Sequence, residues 1–217
     1  MMLVMPVKSA AFSAPSAAAW CAVNSLSEGH LMQLWRWNGA NDSFTTLVPV
    51  NDADLLSGVF TADGTSKTWG ARPRVKPAVE KDPKKQLPLG DLSFIMGASV
   101  VLNDKAYAAL GDLLRPFGEF LELDLVDAAG LAGGDQRLHF YNVTRMITCI
   151  DVTRSEMDGK KVIKPAFLPD AVPDEATIFK DPLRKKADIY LNGAARDALV
   201  QRMEKAGLRG STLRQIG

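Results

Sequence analysis

A chain of 217 residues with 47% apolar and 24% charged side chains has the balance of a packed globule, which excludes fibrous, disordered and disulfide-scaffold classes. Its 26 basic and 25 acidic residues leave a net charge of +1, so no overall field draws it to nucleic acid or to an anionic membrane. The two cysteines, Cys21 and Cys149, match no disulfide or metal spacing, and Cys149 sits in the apolar run from Met146 to Ile150 as a reduced, buried thiol, which points to a reducing cytoplasm.

In chain order, the N-terminal segment has small residues, but Pro6 and Lys8 interrupt its apolar stretch and no positive charge precedes it. It is read as mature chain, and no window reaches the roughly 18 uninterrupted apolar residues of a membrane span. Leu31 to Trp37 is rich in strand formers, Asn38-Gly39 is a turn signal, and Ser43 to Val50 reads as the return strand of an N-terminal β-hairpin. Residues 1–68 are thus expected to form a β-rich region. Residues 69–86, with Pro73, Pro77 and Pro83 among several lysines and arginines, read as a basic, proline-rich extended connector.

Residues 87–217 are expected to form an α+β domain with a mixed or antiparallel sheet. Leu92 to Ile95 is a short strand, and Asn103 suits a helix N-cap, because its side-chain oxygen can accept a free backbone N–H of the first turn. Ala106, Ala109, Leu110, Leu113 and Leu114 share one helical face, Pro116 and Gly118 end it, and Phe120 to Val126 alternates leucines against Glu122 and Asp124 as a strand does. Leu138 to Val152 follows as a strand pair or one bent strand; Gly159 marks a turn, Pro165 to Pro173 a link, and Ala176 to Lys180 a strand.

The stretch VLNDKAYAAL, Val101 to Leu110, nearly returns as YLNGAARDAL, Tyr190 to Leu199, with five identical positions. Asn192 is the second cap. Ala195, Ala198, Leu199, Met203 and Ala206 form the apolar face, Arg202 stands where the first copy has Leu113, Gly207 supplies a left-handed stop, and Leu208 to Ile216 is a terminal strand. Two repeated strand-helix-strand units are therefore expected. The shared residues are caps and core contacts, so the pattern builds architecture.

Chemistry is thinly supplied. His30 falls in a probable turn and His139 alternates with Leu138 and Phe140, so each reads first as structural; an enzyme using His139 with Glu122 or Asp124 requires these groups to meet in a pocket. No cysteine or histidine spacing fits a metal, and the glycines of Gly130 to Gly134 lack the Lys-Ser/Thr of a phosphate loop. No cofactor is expected. Residues 67–85 carry seven basic and two acidic side chains with Trp69, which keeps a nucleic-acid-associated module as the alternative function, although a solvated connector is preferred. Trp35 and Trp37 share one strand face, with core packing the first reading and interface anchoring the second.

The order of elements from about Trp69 to Gly217 resembles the immunity proteins of bacterial polymorphic-toxin and type VI secretion systems, a family long catalogued as a domain of unknown function and later named for a myxobacterial member. The resemblance rests on Leu89-Gly90-Asp91-Leu92, Val101-Leu102-Asn103, the strand from Phe117 to Leu125, and Phe140-Tyr141-Asn142-Val143. It continues through Asp151 with Ser155-Glu156, Ile178-Phe179-Lys180, Ile189-Tyr190-Leu191 and Gly207-Leu208-Arg209-Gly210. It implies a cytoplasmic, non-enzymatic protein that binds and occludes a cognate effector toxin, with neither membrane nor nucleic acid as partner. Trp35, Trp37, Asp52, Asp54 and Trp69 are the expected partner-binding residues.

Overall fold

A computed structural model describes residues 33–95, 99–127 and 132–216, all within the unit Met32–Gly217. The fold is α+β. In chain order it runs β1 (Leu34–Gly39), β2 (Leu47–Pro49), α1 (Asp52–Leu56), β3 (Arg74–Pro77), β4 (Leu92–Ile95), β5 (Ser99–Asn103), α2 (Asp104–Leu114), β6 (Gly118–Val126) and β7 (Ala132–Val143). The hairpin β8 (Glu156–Asp158) and β9 (Lys161–Lys164) follows, then β10 (Ile178–Phe179), β11 (Tyr190–Asn192), α3 (Gly193–Ala206) and β12 (Ser211–Gln215).

Both asparagine caps form as the sequence predicts. Asn103 (φ −77°, ψ 174°) accepts from the Ala106 N–H at 2.8 Å and Asn192 (φ −78°, ψ 173°) from the Ala195 N–H at 3.0 Å. Each helix lies between two strands that flank an antiparallel third. β7 separates β5 from β6 in a mixed six-stranded sheet of order β2-β3-β6-β7-β5-β4, and β1 separates β11 from β12 in an antiparallel sheet of order β10-β11-β1-β12. β4-β5 and β10-β11 are antiparallel pairs.

Side-chain alternation then assigns the cores. Leu92, Phe94, Val100, Leu102 and Tyr141 from the first sheet, with Trp37, Ile178 and Leu191 from the second, pack with Ala106, Leu110 and Leu114 of α2 and Ala195 and Leu199 of α3. The opposite face of the six-stranded sheet, through Leu47, Val75, Ile95, Val101, Leu123, Leu138 and Phe140, holds Phe60 and Ala62 of the loop after α1. The opposite face of the four-stranded sheet, through Leu34, Phe179 and Tyr190, covers Cys149, Ile150 and Val162. Because both faces are buried, β4 reads as four consecutive buried residues. The helices also touch directly. Arg202, replacing the leucine of the first helix, reaches across to the Ala109 carbonyl at 3.3 Å and to Asp112, while Lys105 Nζ donates to the Gly207 carbonyl at 3.0 Å.

The two sheets are joined where β4 begins. Leu92 N–H donates to the Arg209 carbonyl at 2.9 Å, Ala40 N–H to the Gly210 carbonyl at 3.0 Å, and Arg209 N–H to Asp91 Oδ2 at 2.9 Å. Asp91 Oδ1 accepts from Asn103 Nδ2 at 3.1 Å, which ties the first helix cap to the same point. Gly210 has φ +115°, and a Cβ there would stand 1.9 Å from the Leu92 carbonyl oxygen and 3.1 Å from the Gly90 Cα.

Three expectations require correction. Asn38 and Gly39 do not turn the chain; they continue β1, which pairs with β11 and β12, whereas β2 pairs with β3 in the other sheet, so no N-terminal hairpin joins them. Long-range pairing outweighs the local turn signal, and the chain bends only after it, where Ser43 and Phe44 N–H groups donate to the Ala40 carbonyl. Residues 69–86 are no free connector, because Arg74–Pro77 is β3, parallel to β6 through Arg74↔Asp124 and Val75↔Leu125. The boundaries at 68 and 86 therefore separate nothing, since strands from all three proposed regions share the two sheets.

Gly210→Ala is expected to combine backbone strain with a collision and to cost several kcal/mol, whereas Gly207→Ala, at φ +59° with open space around it, is expected to cost about 1 kcal/mol. Urea denaturation of both variants checks the ranking.

Candidate functional site

Beside α2 the face of the six-stranded sheet opens into a pocket of about 400 Å³. The β6-β7 register sets its floor: Phe120 faces Tyr141, Glu122 faces His139 and Asp124 faces Arg137, all on one side of the sheet. Tyr141 lies under α2, its hydroxyl donating to the Leu114 carbonyl at 2.8 Å, and burial pushes its pKa up. Beyond the helix edge His139 stays buried beneath Tyr107, while Glu122, Asp124 and Arg137 reach solvent.

Asp104, the first residue of α2, meets His139 Nε2 through Oδ1 at 2.8 Å. The Tyr107 ring stacks on the imidazole with centroids 3.9 Å apart and planes 12° apart, and Phe120 meets Tyr107 edge to face at 5.0 Å. Arg115, just past α2, donates to the Tyr107 hydroxyl and lies over the Tyr107 and Phe120 rings at 5.4 and 5.7 Å. Glu122 is held by Arg72 and, at 3.9 Å, by Arg137; Asp124 has Arg72 at 3.8 Å.

His139 and Glu122 thus do line one pocket, but the carboxylate bonded to the imidazole is Asp104, thirty-five residues away. Sequence reasoning passed over Asp104 because it reads as an ordinary acidic first-turn residue. The missing signal was the pairing of β5 with both neighbours, which sets the start of α2 over His139. Among the described residues that line the pocket, the one hydroxyl is that of Tyr107, which accepts from Arg115. The pocket's aromatic and guanidinium surfaces suit recognition.

The expected partner-binding residues divide. Trp37 is 2% exposed in the first core beside Tyr141, and Trp35 packs against the same core beneath the Arg196 guanidinium at 4.7 Å. Trp69 lies against Phe60 and Phe140, with centroids at 6.2 and 5.3 Å. Trp37 is thus a core residue, whereas Trp35 and Trp69 are half-buried and pack against the cores. Asp52 and Asp54 are different: α1 has no buried residue, Asn51 caps it by accepting from the Ala53 N–H, and Leu56 at its end is 92% exposed.

Trp69 is half-buried, and in residues 67–85 Lys67 donates to the Gly58 carbonyl at 3.3 Å and Arg72 pairs with Glu122, while Arg72, Arg74, Lys81, Lys84 and Lys85 are all exposed. Gly133 and Gly134 belong to β7, while Gly130 and Leu131 lie outside the described residues, as do His30 and Cys21. Cys149 is buried; burial, with Asp181 beside it, pushes its thiol up to about 12. The Asp181 carboxylate accepts from the N–H groups of Cys149, Ile150 and Leu183 at 2.7 to 2.9 Å.

Next to it Lys180 is fully buried, its Nζ donating to the Ala62 and Lys185 carbonyls, and burial lowers its pKa to about 8 against the pull of Asp63 and Asp188. Among the described residues, no group of three or more histidine, cysteine, aspartate or glutamate side chains is placed to hold a metal, and no helix is long and apolar enough to cross a membrane. No family model and no curated protein matches this chain.

The Lys180 shift has a definite sign. Its ordinary pKa is 10.5 and its folded pKa about 8, so the cost of burying the cation is fully present below pH 8 and is relieved as pH rises toward the unfolded value. Wild-type stability measured against Lys180→Met is expected to rise by about 1 kcal/mol between pH 7 and pH 9. Urea titrations at the two pH values check it, and a flat difference would exclude a depressed lysine.

Proposed function

We propose that this chain is an immunity protein, which binds a cognate secreted effector toxin in the cytoplasm and occludes it, protecting the producing cell and its siblings. One observation carries the reading. The segments on which the family resemblance rests, distant in sequence, converge in space: Leu89 to Leu92, Asn103 and Gly207 to Gly210 meet at the junction of the two sheets.

Asp151 and Ser155 support it in the same way, since Asp151 accepts from Thr153 N–H and Arg154 Nε while Ser155 Oγ accepts from Ala166 N–H, closing one turn. Residues that recur in such a family would then specify the scaffold, and partner choice would fall to surface elements that vary freely. Occlusion needs a rigid scaffold and a shaped surface and no catalytic group.

The element that best fits a docking role is α1. Its exposed Leu56 beside Asp52 and Asp54 presents an apolar anchor with acidic flanks on a projecting turn. Affinity purification of the tagged chain from its producing strain, washed at high salt, is expected to return one large protein carrying a secretion-system delivery region. Leu56→Glu should lower its retention at least tenfold, about 1.4 kcal/mol, without moving the thermal unfolding midpoint. Recovery of no protein while the effector is expressed contradicts the proposal.

A further inference from the structure

We propose that the pocket between α2 and the β6-β7 strands is a carboxylate-binding site in which Arg115 and Arg137 grip a single carboxylate over the Tyr107 and Phe120 rings. The pocket's own acids are already engaged: Glu122 by Arg72 and Arg137, Asp104 by His139. Arg115 is the exception. Its guanidinium rests on two aromatic faces and donates to one neutral hydroxyl, and no carboxylate among the described residues pairs with it. An arginine that lies over aromatic rings and pairs with no carboxylate keeps N–H donors with which to grip one, by two parallel bonds.

Arg137 lines the same pocket and its side chain is 65% exposed, its ion pair among the described residues being the long 3.9 Å contact to Glu122, so it can turn toward an incoming anion. The flanking acids Asp104 and Glu122 set the class of ligand. They repel a dianion such as phosphate more strongly than a monocarboxylate, and they offer acceptors to an amide or ammonium group carried beside it. A volume of about 400 Å³ holds one acidic side chain or a small organic acid.

Such a carboxylate could come from a free metabolite or from an aspartate or glutamate on a bound protein; the chemistry is the same. The site stands independently of the toxin-binding reading, because it follows from the pocket alone.

The test titrates the ¹⁵N-labelled full chain at physiological salt with acetyl-glutamate-amide, acetyl-glutamine-amide and inorganic phosphate. Saturable shifts of the Tyr107, Phe120 and His139 amides are expected with the glutamate probe. Affinity should fall at least tenfold with the neutral isostere and with phosphate, and be lost in Arg115→Gln and weakened in Arg137→Gln, both retaining the wild-type spectrum elsewhere. Equal response to the glutamine probe, tighter phosphate binding, or an unchanged Arg115→Gln titration each overturns the proposal.

The source is read separately. Arg115→Gln lowers retention of a captured protein if the group is a partner's side chain, and abolishes a small acid released on denaturing the purified chain if it is a metabolite. A glutamate probe that binds while no protein is ever captured would refute the toxin reading and leave this site standing.

Discussion

The structure depends on a close backbone approach. Gly90 and Gly210 let two chain segments come together with no room for a side chain, so that Leu92 N–H reaches the Arg209 carbonyl and Asp91 can serve Arg209 N–H and Asn103 at once. Everything else in the first core follows from that contact. It fixes the start of β4 against the start of β12, brings the apolar faces of the two sheets toward one another, and sets α2 beside α3, where Leu110 and Leu199 can share a core.

Features written in a few consecutive residues were legible in the sequence. The asparagine caps, the apolar stripe of α2, the left-handed Gly207 and the alternation of β6 are local devices, and each occurs at the predicted residues. What was misread depended on distant partners. Asn38-Gly39 carries a turn signature, yet β1 is the central strand between β11 and β12, some 150 residues or more along the chain, and the backbone pairing gained there exceeds a local preference. The prolines of 69–86 similarly suggested a solvated connector, but Pro73 and Pro77 flank a strand with a buried Val75, positions a proline tolerates.

The site followed the same division. Glu122 and Asp124 sit on the open side of their strand as their alternation with leucines implied, but no local pattern could announce that Asp104 would meet His139 or that Arg115 would lie over Phe120. The tryptophans attracted attention by type; Trp37 is buried in the core, and Trp35 and Trp69 are half-buried against it. Buried polar chemistry was equally invisible: Lys180 reads as the end of a strand, and in the structure it and Asp181 hold loop carbonyls and N–H groups in place. Much of the polar chemistry legible as residue types is therefore spent on the scaffold. The uncovered strip beside α2 and the projecting α1 are surfaces that remain free to act.

The account's central claim is that the contact around Gly90, Asp91 and Gly210 makes both sheets one cooperative body. Native-state hydrogen exchange of the full chain tests it most directly. If the claim holds, the slowest amides of Val101 and Leu102 in the six-stranded sheet and of Trp37 and Leu191 in the four-stranded sheet open with one common free energy, equal to that of global unfolding. Two separate values, with one sheet opening while the other stays protected, would contradict it.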